Sequence, residues 1–381
     1  MPRATRILLL IETSSACFRR CIQGVAAFAR TQPEWILHTA EPGIDARACL
    51  KASRPDAVIA RYDPSVCALL QAQKIPATFV YGEEPNCSGI DNVELGRVAA
   101  RHLMNLGLRH FAFYGFDWEF LKHRLNGFNK ELQSAGHSPC TVFWPHLKDH
   151  GMWPLKNPKL EEFLRTQPTP LGLFAGGDLL GFEVVQLCRN VGIQVPEKIA
   201  VLGVDNDEML CAIAAPELSS VITPDELVGH SAAQRLHSLL SKKKLSPAPV
   251  LFPPQGVAVR RSTDVLVLKD DDLAEALAFI RQNAEKNIGV SDVLAKVGIS
   301  RRLLEQKFQS VLQRSPLAEI RRVRIERAKT LLLDGNNSIA AVARATGFDS
   351  ADWLSEVFRR ETGMTPSQYR QRFALKNHGA V

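Results

Sequence analysis

The chain has 381 residues, 45% of them apolar and 23% charged, which allows two or three packed units and excludes an intrinsically disordered chain. No apolar run approaches the roughly 18–20 residues of a membrane span, which excludes a helical membrane protein. The net charge of +7 is local: residues 273–381 carry 18 Lys/Arg against 11 Asp/Glu, whereas residues 1–272 carry 29 of each.

The first expected element is a strand at RILLLIE, residues 6–12. It is too short for a secretion signal and lacks a cleavage pattern, so the expected location is the cytoplasm. Further short apolar runs follow at DAVIAR, ATFVYG, HFAFYG, GLFAG and AVLGVD. Each is bounded by Pro or Gly and reads as a buried parallel strand. Between them lie amphipathic stretches such as FRRCIQGVAAFAR, LGRVAARHLMNLG and LGFEVVQLCRNVG. Strand–helix alternation predicts a doubly wound α/β architecture. The number of strands predicts two lobes, hinged near residues 115–120 and again near 220–225. The eight cysteines form no CxxC pair and no group with zinc spacing, so reduced, buried thiols are expected and no metal or other cofactor.

The proline-rich run KKKLSPAPVLFPP, residues 242–254, predicts loop and extended chain, with a last strand at GVAVRRST. Asp270, Asp271 and Asp272 mark a helix start, where negative charge offsets the helix dipole. The domain boundary is therefore expected near 265–270, giving a two-lobed domain over 1–265 and an all-helical domain over 266–381. In the latter the clearest helix is SPLAEIRRVRIERAKTLLLDG, with Ser315 as cap, Pro316 in the first turn and Gly335 as a left-handed stop. Ile320, Val323, Ala328, Leu331 and Leu332 give it one apolar face, with Arg321, Arg322, Arg324 and Arg327 along the remainder.

Two copies of one unit flank that helix. Val290, Val293 and Gly298 match Ile339, Val342 and Gly347 at an offset of 49. Ser300, Leu304 and Phe308 match Ser350, Leu354 and Phe358 at an offset of 50. Each copy is a short helix, a turn with Gly, and a second helix opened by a capping Ser, which is the helix-turn-helix plan. Units are expected near 290–310 and 338–361. A connecting helix of about 18 residues is roughly 27 Å long, enough to set both second helices near one face of a DNA duplex.

IRRVRIERAKTLLL followed by SIAAVARATGFDSADWLSEVFRRETGMTPSQYR resembles the signature of the AraC family of transcription regulators. The resemblance covers about residues 270–372 and implies sequence-specific binding to a double-stranded DNA operator and, usually, activation through RNA polymerase. By position, the first recognition helix presents Arg301, Arg302, Glu305 and Gln306, and the second presents Ala351, Asp352, Ser355 and Glu356. Arg and Gln suit guanine and adenine edges, and carboxylates can accept from cytosine. The two carboxylates of the second helix also repel phosphate. Lys307, Arg359 and Arg360 read as phosphate contacts.

The larger domain contains no P-loop, GxGxxG, HExxH or GxSxG, so no enzyme is expected. A two-lobed α/β domain places its ligand cleft at strand carboxyl ends. The candidates there are Glu12, Ser14 and Phe18, then Asp91 and Asn92, then Arg124, Asp178, Asp205 and Asn206. Carboxylates accept sugar hydroxyls, Arg donates a fork, and Phe stacks on an apolar ring face. Asp91 and Asp178 have the alternative role of helix caps. GIDNVELGRVAARHLMNLGLRHFAFYG, RLNGF and AVLGVDN resemble the sugar-sensing domain of LacI-type repressors and periplasmic binding proteins. That resemblance implies that Arg124 and Asp205 hold ligand hydroxyls. With the AraC-type tail it implies a homodimeric regulator responding to xylose or a related aldose. A cytosolic sugar-binding protein, or a repressor responding to another small molecule, is the alternative.

Overall fold

The structure, a computed structural model, describes residues 4–39, 45–145, 157–243, 246, 248–264, 271–312, 314–333 and 337–373. Among these the first part of the chain forms two six-stranded sheets. One holds β1 (Thr5–Leu10), β2 (Trp35–Thr39), β3 (Ala57–Arg61), β4 (Ala77–Val80), β5 (Cys87–Ile90) and a late strand, β11 (Val250–Phe252), in the order β11-β5-β4-β3-β1-β2. The other holds β6 (His110–Tyr114), β7 (Thr141–Phe143), β8 (Leu171–Ala175), β9 (Ile199–Val204), β10 (Ser219–Val221) and β12 (Val257–Ala258), in the order β12-β10-β9-β8-β6-β7. All pairs are parallel except β10 with β12.

Strand side chains alternate between faces, and here both faces are covered. Ile7 and Leu9 of β1 enter one core with Cys21 and Val25 of α1 (Ala16–Ala29) and Val228 of α9 (Asp225–Leu240). Leu8 enters another with Leu50 of α2 (Ala46–Ser53) and Leu70 of α3 (Pro64–Ala72). Burial on both sides is why this strand reads as a continuous apolar run. Around the second sheet lie α4 (Asn92–Met104), α5 (Glu119–Ser134), α6 (Pro158–Thr166), α7 (Asp178–Val191) and α8 (Glu208–Ile213). Six of the seven expected strands are β1, β3, β4, β6, β8 and β9, and within the seventh, GVAVRRST, only Val257–Ala258 forms a strand, β12. The remaining ones are short, such as CSGI and SSV, and their pairing comes from the sheet that receives them.

The lobe crossings correct one expectation. The chain passes between lobes at Ile90–Asn92, again at 222–225, and a third time between β11 and β12. The segment 115–120 instead joins β6 to α5 within the second lobe. Its Gly and aromatic residues serve the cleft, as described below, and not a hinge.

The helical part comprises α10 (Asp271–Asn283), α11 (Val290–Val297), α12 (Arg301–Leu312), α13 (Pro316–Leu333), α14 (Ile339–Ala345), α15 (Ala351–Thr362) and α16 (Pro366–Phe373). Both helix-turn-helix pairs stand at the expected positions. Ser315 and Ser350 each cap the third amide onward, at 3.2 and 3.1 Å. The expected domain boundary near 265–270 and the stop at Gly335 lie outside the described residues.

Helix α13 carries two apolar faces where one was expected. Ile320 packs with Leu273, Val293, Leu304 and Phe308. Ile325, Ala328 and Leu332 pack with Val342, Leu354 and Phe358. The helix is thus a shared wall between two small cores. Nor is Arg324 a surface residue: it is buried and donates to the carbonyls of Ala284, Lys286 and Ile288 at 3.3, 2.9 and 3.0 Å. No described helix is long and apolar enough to cross a membrane.

Candidate effector cleft and DNA-binding helices

Between the lobes lies a cleft of about 570 Å³. Arg124, on α5, is buried at its floor, and two helix crossings bring it there. A Cβ at Gly96 would meet the Arg124 carbonyl at 2.0 Å, and one at Gly127 would meet the Val93 carbonyl at 1.9 Å, so only glycine lets α4 and α5 approach this closely. The guanidinium Nε then donates to Asn92 Oδ1 at 2.9 Å and Nη1 to the Gly176 carbonyl at 2.6 Å, and the cation sits 5.2 Å from the Phe120 ring. Among the described contacts Nη2 has no protein acceptor.

Asp205 follows β9 and lines the same floor. Its φ of 99° and the 50° of Asn206 put two consecutive non-glycine residues in the left-handed region. Strain of this kind persists where surrounding contacts over-determine the turn. The Asp205 amide donates to the Val221 carbonyl at 3.0 Å and the Asn206 amide to Ser220 Oγ at 2.9 Å. Burial raises the carboxyl of Asp205 above its ordinary value, opposed by Arg124 and Arg20. Its carboxylate accepts no described hydrogen bond from the protein. A guanidinium nitrogen and a carboxylate thus face the cleft with donor and acceptor capacity to spare, the pairing a polyhydroxylated ligand needs.

The other expected residues separate into two groups. Phe18 lines the cleft, edge-on to Tyr81 at 5.3 Å and beneath the Arg61 guanidinium at 5.3 Å. Asp178 lines it too, but both its oxygens are engaged: Oδ1 accepts from Ser220 Oγ and Oδ2 from the Asp207 amide, each at 2.6 Å. Burial, then the nearby Asp205, push its carboxyl up to about 8. Asn92 also lies on the lining, with Oδ1 accepting from Arg124 and Nδ2 donating to Glu83, and the rest sit off it. Asp91 is the N-cap of α4, accepting from the Glu94 amide at 2.8 Å. Glu12 is exposed and pairs with Arg61 at 3.6 Å. Ser14 gives its carbonyl to Arg19, and Asn206 Oδ1 accepts from Arg260 at 2.8 Å.

Several lining residues had no signal in the sequence. Phe116, Trp118 and Phe120 form a run of tilted rings at the mouth, 4.9 and 5.8 Å apart between centroids. Across from them Glu83 meets His123 Nδ1 at 2.9 Å and Asn92 Nδ2 at 3.3 Å. On the hinge side Tyr81 lines the cleft, and behind the lining Asp225 is fully buried, with Arg20 reaching it through Nε at 3.1 and Nη2 at 2.8 Å. The alternation in FDWEFL, residues 116–121, reveals aromatic content only. Which face they share depends on the β6–α5 turn.

On the DNA-binding side, Arg301, Arg302, Glu305 and Gln306 are exposed on α12. Arg301 is held by Glu305 at 3.0 Å. Lys307 is turned inward, its ammonium 2.9 Å from Asp272. On α15, Asp352, Glu356, Arg359 and Arg360 are exposed, whereas Ala351 and Ser355 are half-buried. Ser355, Glu356, Arg359 and Arg360 line a shallow concavity with Thr365. Gly298 and Gly347, at φ 74° and 70°, make the turns.

Two family models match the chain: a periplasmic binding protein-like domain over residues 100–263 and a helix-turn-helix domain over 293–372. The chain is 31% identical over 379 residues to the xylose operon regulatory protein of Haemophilus influenzae, covering 96% of this chain and 98% of that protein. It is 30% identical over 390 residues to the protein of the same name in Escherichia coli K12, covering 96% of each. Among solved structures it is similar to the xylose-binding transcription activator xylR, with a TM-score of 0.61 at 29% identity over 98% of this chain and all of the other. The cellobiose complex of the regulator CelR, at 23% identity and a TM-score of 0.55 over 69% of this chain and 86% of that one, shares the fold of the first part. With its cleft domain, its paired helix-turn-helix units and near full-length similarity, the chain belongs to the family of the xylose operon regulatory proteins and is a sugar-responsive, DNA-binding transcription regulator.

Proposed function

We propose that the protein is a cytoplasmic activator of an aldose-utilisation operon, with D-xylose or a close aldopentose as its effector. The observation that carries this reading is the pair of uncommitted groups, Arg124 Nη2 and the Asp205 carboxylate, at the floor of an aromatic-edged cleft. Sugar hydroxyls satisfy both, and Phe18 or Trp118 can cover an apolar ring face. The sugar undergoes no chemical step; it favours the lobe arrangement that binds it more tightly. The sensing domain, residues 1–265, then repositions the DNA-binding domain, residues 266–381. We further propose that the active form is a homodimer, that each subunit reads a half-site through Arg302 and Gln306 with phosphate contacts from Arg359 and Arg360, and that the bound regulator recruits RNA polymerase.

The test is thermal unfolding with D-xylose, L-arabinose, D-ribose and D-glucose. A ligand at a hundred times its Kd stabilises the folded state by ~2.7 kcal/mol, enough to raise Tm by several degrees. D-xylose should do so for the wild type. Asp205→Asn keeps the shape but loses a charged acceptor worth about 1.5–3 kcal/mol, so its shift should fall to about half or less of the wild-type shift at the same concentration. A wild type that responds to none of the four sugars would refute the aldose reading.

A further inference from the structure

Arg20 was invisible as a functional residue in the sequence, yet it reaches from α1 in the first lobe to the turn that carries the effector carboxylate in the second. Nη2 donates to the Asp205 carbonyl and Nη1 to the Asn206 carbonyl at 3.4 Å. The other side of the same guanidinium is anchored on Asp225, at the start of α9. Asp225 is itself held by Thr223 Oγ1 at 2.8 Å and lies 3.0 Å from the Tyr81 hydroxyl, whose single proton it shares with the Cys17 carbonyl, also at 3.0 Å.

The division of labour at the turn is informative. The amides of Asp205 and Asn206 are bonded within their own lobe, to Val221 and Ser220. Their carbonyls, among the described contacts, are bonded only by Arg20 from the opposite lobe. Two consecutive left-handed residues persist only while surrounding contacts hold them, so loss of the Arg20 contacts is expected to let the turn relax and the Asp205 carboxylate turn with it. A planar fork spans two carbonyls and a carboxylate on its different sides; an ammonium group has three donors but concentrates them on one atom and does not span the same acceptors.

We propose that Arg20 is a positioning residue of the effector site: it clamps the Asp205–Asn206 turn from across the hinge and so sets the direction of the Asp205 carboxylate. This rests on the reading of the cleft as the effector site. It adds that effector affinity and the lobe angle are linked through one side chain, because Arg20 and the turn belong to different lobes.

The test uses the full-length protein, with amide hydrogen exchange of residues 203–207 measured without sugar and D-xylose affinity measured by calorimetry. Arg20→Lys retains the charge beside Asp225 but not the fork. Exchange at Asn206 and Asp207 should quicken at least tenfold, and the D-xylose Kd should rise at least tenfold. Should that variant not fold, Asp225→Ala, which removes the anchor and leaves the fork, carries the same two measurements. Unchanged exchange overturns the clamp, and if affinity is lost all the same, Arg20 contacts the sugar directly. Quickened exchange with unchanged affinity also overturns the proposal, since the turn would then not govern binding. A wild type that takes up no D-xylose, with exchange still quickened in the variant, upholds the clamp and refutes only the choice of sugar.

Discussion

Asp178 and Asp205 began as equivalent acids at two strand ends, and their surroundings separate them. Asp205 keeps its acceptor capacity for the cleft, whereas Asp178 gives both oxygens to the second lobe. Its carboxyl, ordinarily near 3.8, is pushed up to about 8 by burial and by Asp205. The folded protein then holds a proton between those two values that the unfolded chain releases. Stability from this group is therefore lost as pH rises through the window, the reverse of an ion-paired acid. Asp225, pushed up to about 6 by burial, adds the same sign over a narrower range. We expect Tm of the wild type to decline between pH 5 and 8, and Asp178→Asn to flatten that decline. A slope unchanged in the variant would show that Asp178 is ionised throughout. Arg324 makes the same point about residue type: an Arg-rich helix suggests DNA contacts, but this Arg caps three carbonyls inside the domain.

At the scale of elements, the two turns of the helix-turn-helix units and the end of α15 all use glycine at positive φ, for costs that differ. A Cβ at Gly363 would meet nothing within 4 Å, so Gly363→Ala should cost only the left-handed backbone, about 1–2 kcal/mol. A Cβ at Gly347 would meet the Lys286 carbonyl at 2.5 Å and the Ala284 carbonyl at 2.8 Å. Those backbone atoms are already fixed by Arg324, so Gly347→Ala should cost more than Gly363→Ala by ~1 kcal/mol or more. Urea unfolding of the two variants compares them directly, and equal losses would contradict the packing described. The recognition helices differ as well. Arg302 is exposed on α12, and Arg302→Ala should cost about 1–3 kcal/mol on the preferred operator and relax the preference at one base. Arg360→Ala should weaken binding to all sequences alike and reduce the salt slope by about 1. Binding titrations on operator and scrambled duplexes, at several salt concentrations, separate the two.

The whole molecule depends on three lobe crossings rather than on one hinge. Asp91–Asn92, the 222–225 segment and the 253–256 segment lie together, and Asp225 and Asn92 connect them to the cleft floor through Arg20 and Arg124. A ligand bound to Arg124 and Asp205, as proposed, would therefore act on the crossings themselves. The charge is partitioned in the same sense: the excess is confined to the DNA-binding part, so the sensing part is free to carry a subunit interface without a strong field of one sign. If the sensing domain makes the dimer, sedimentation of a chain ending at residue 265 should show a dimer at micromolar concentration. A monomer would count against an interface in the sensing part.

Much of this was legible in the order of the residues alone. Strand runs buried on both faces must be continuously apolar, helices that bury a stripe must repeat every 3.6 residues, and glycine is favoured where a helix ends at positive φ. Those local rules located β1, β3, β4, β6, β8 and β9, both helix-turn-helix units, and Asp205 at the end of β9, whereas Arg124, inside α5, was marked out by the resemblance to LacI-type sensing domains. They could not find Arg20, Tyr81 and Asp225, which are 61 and 144 residues apart in sequence and become neighbours only because the chain crosses three times between lobes. Nor could they tell Asp178 from Asp205, or Asp91 from Asn92, because a carboxylate's capacity for a ligand depends on which donors the fold has already brought to it. Periodicity and turn chemistry decided the elements; the sheet topology decided which polar groups were left unsatisfied, and therefore where the site is.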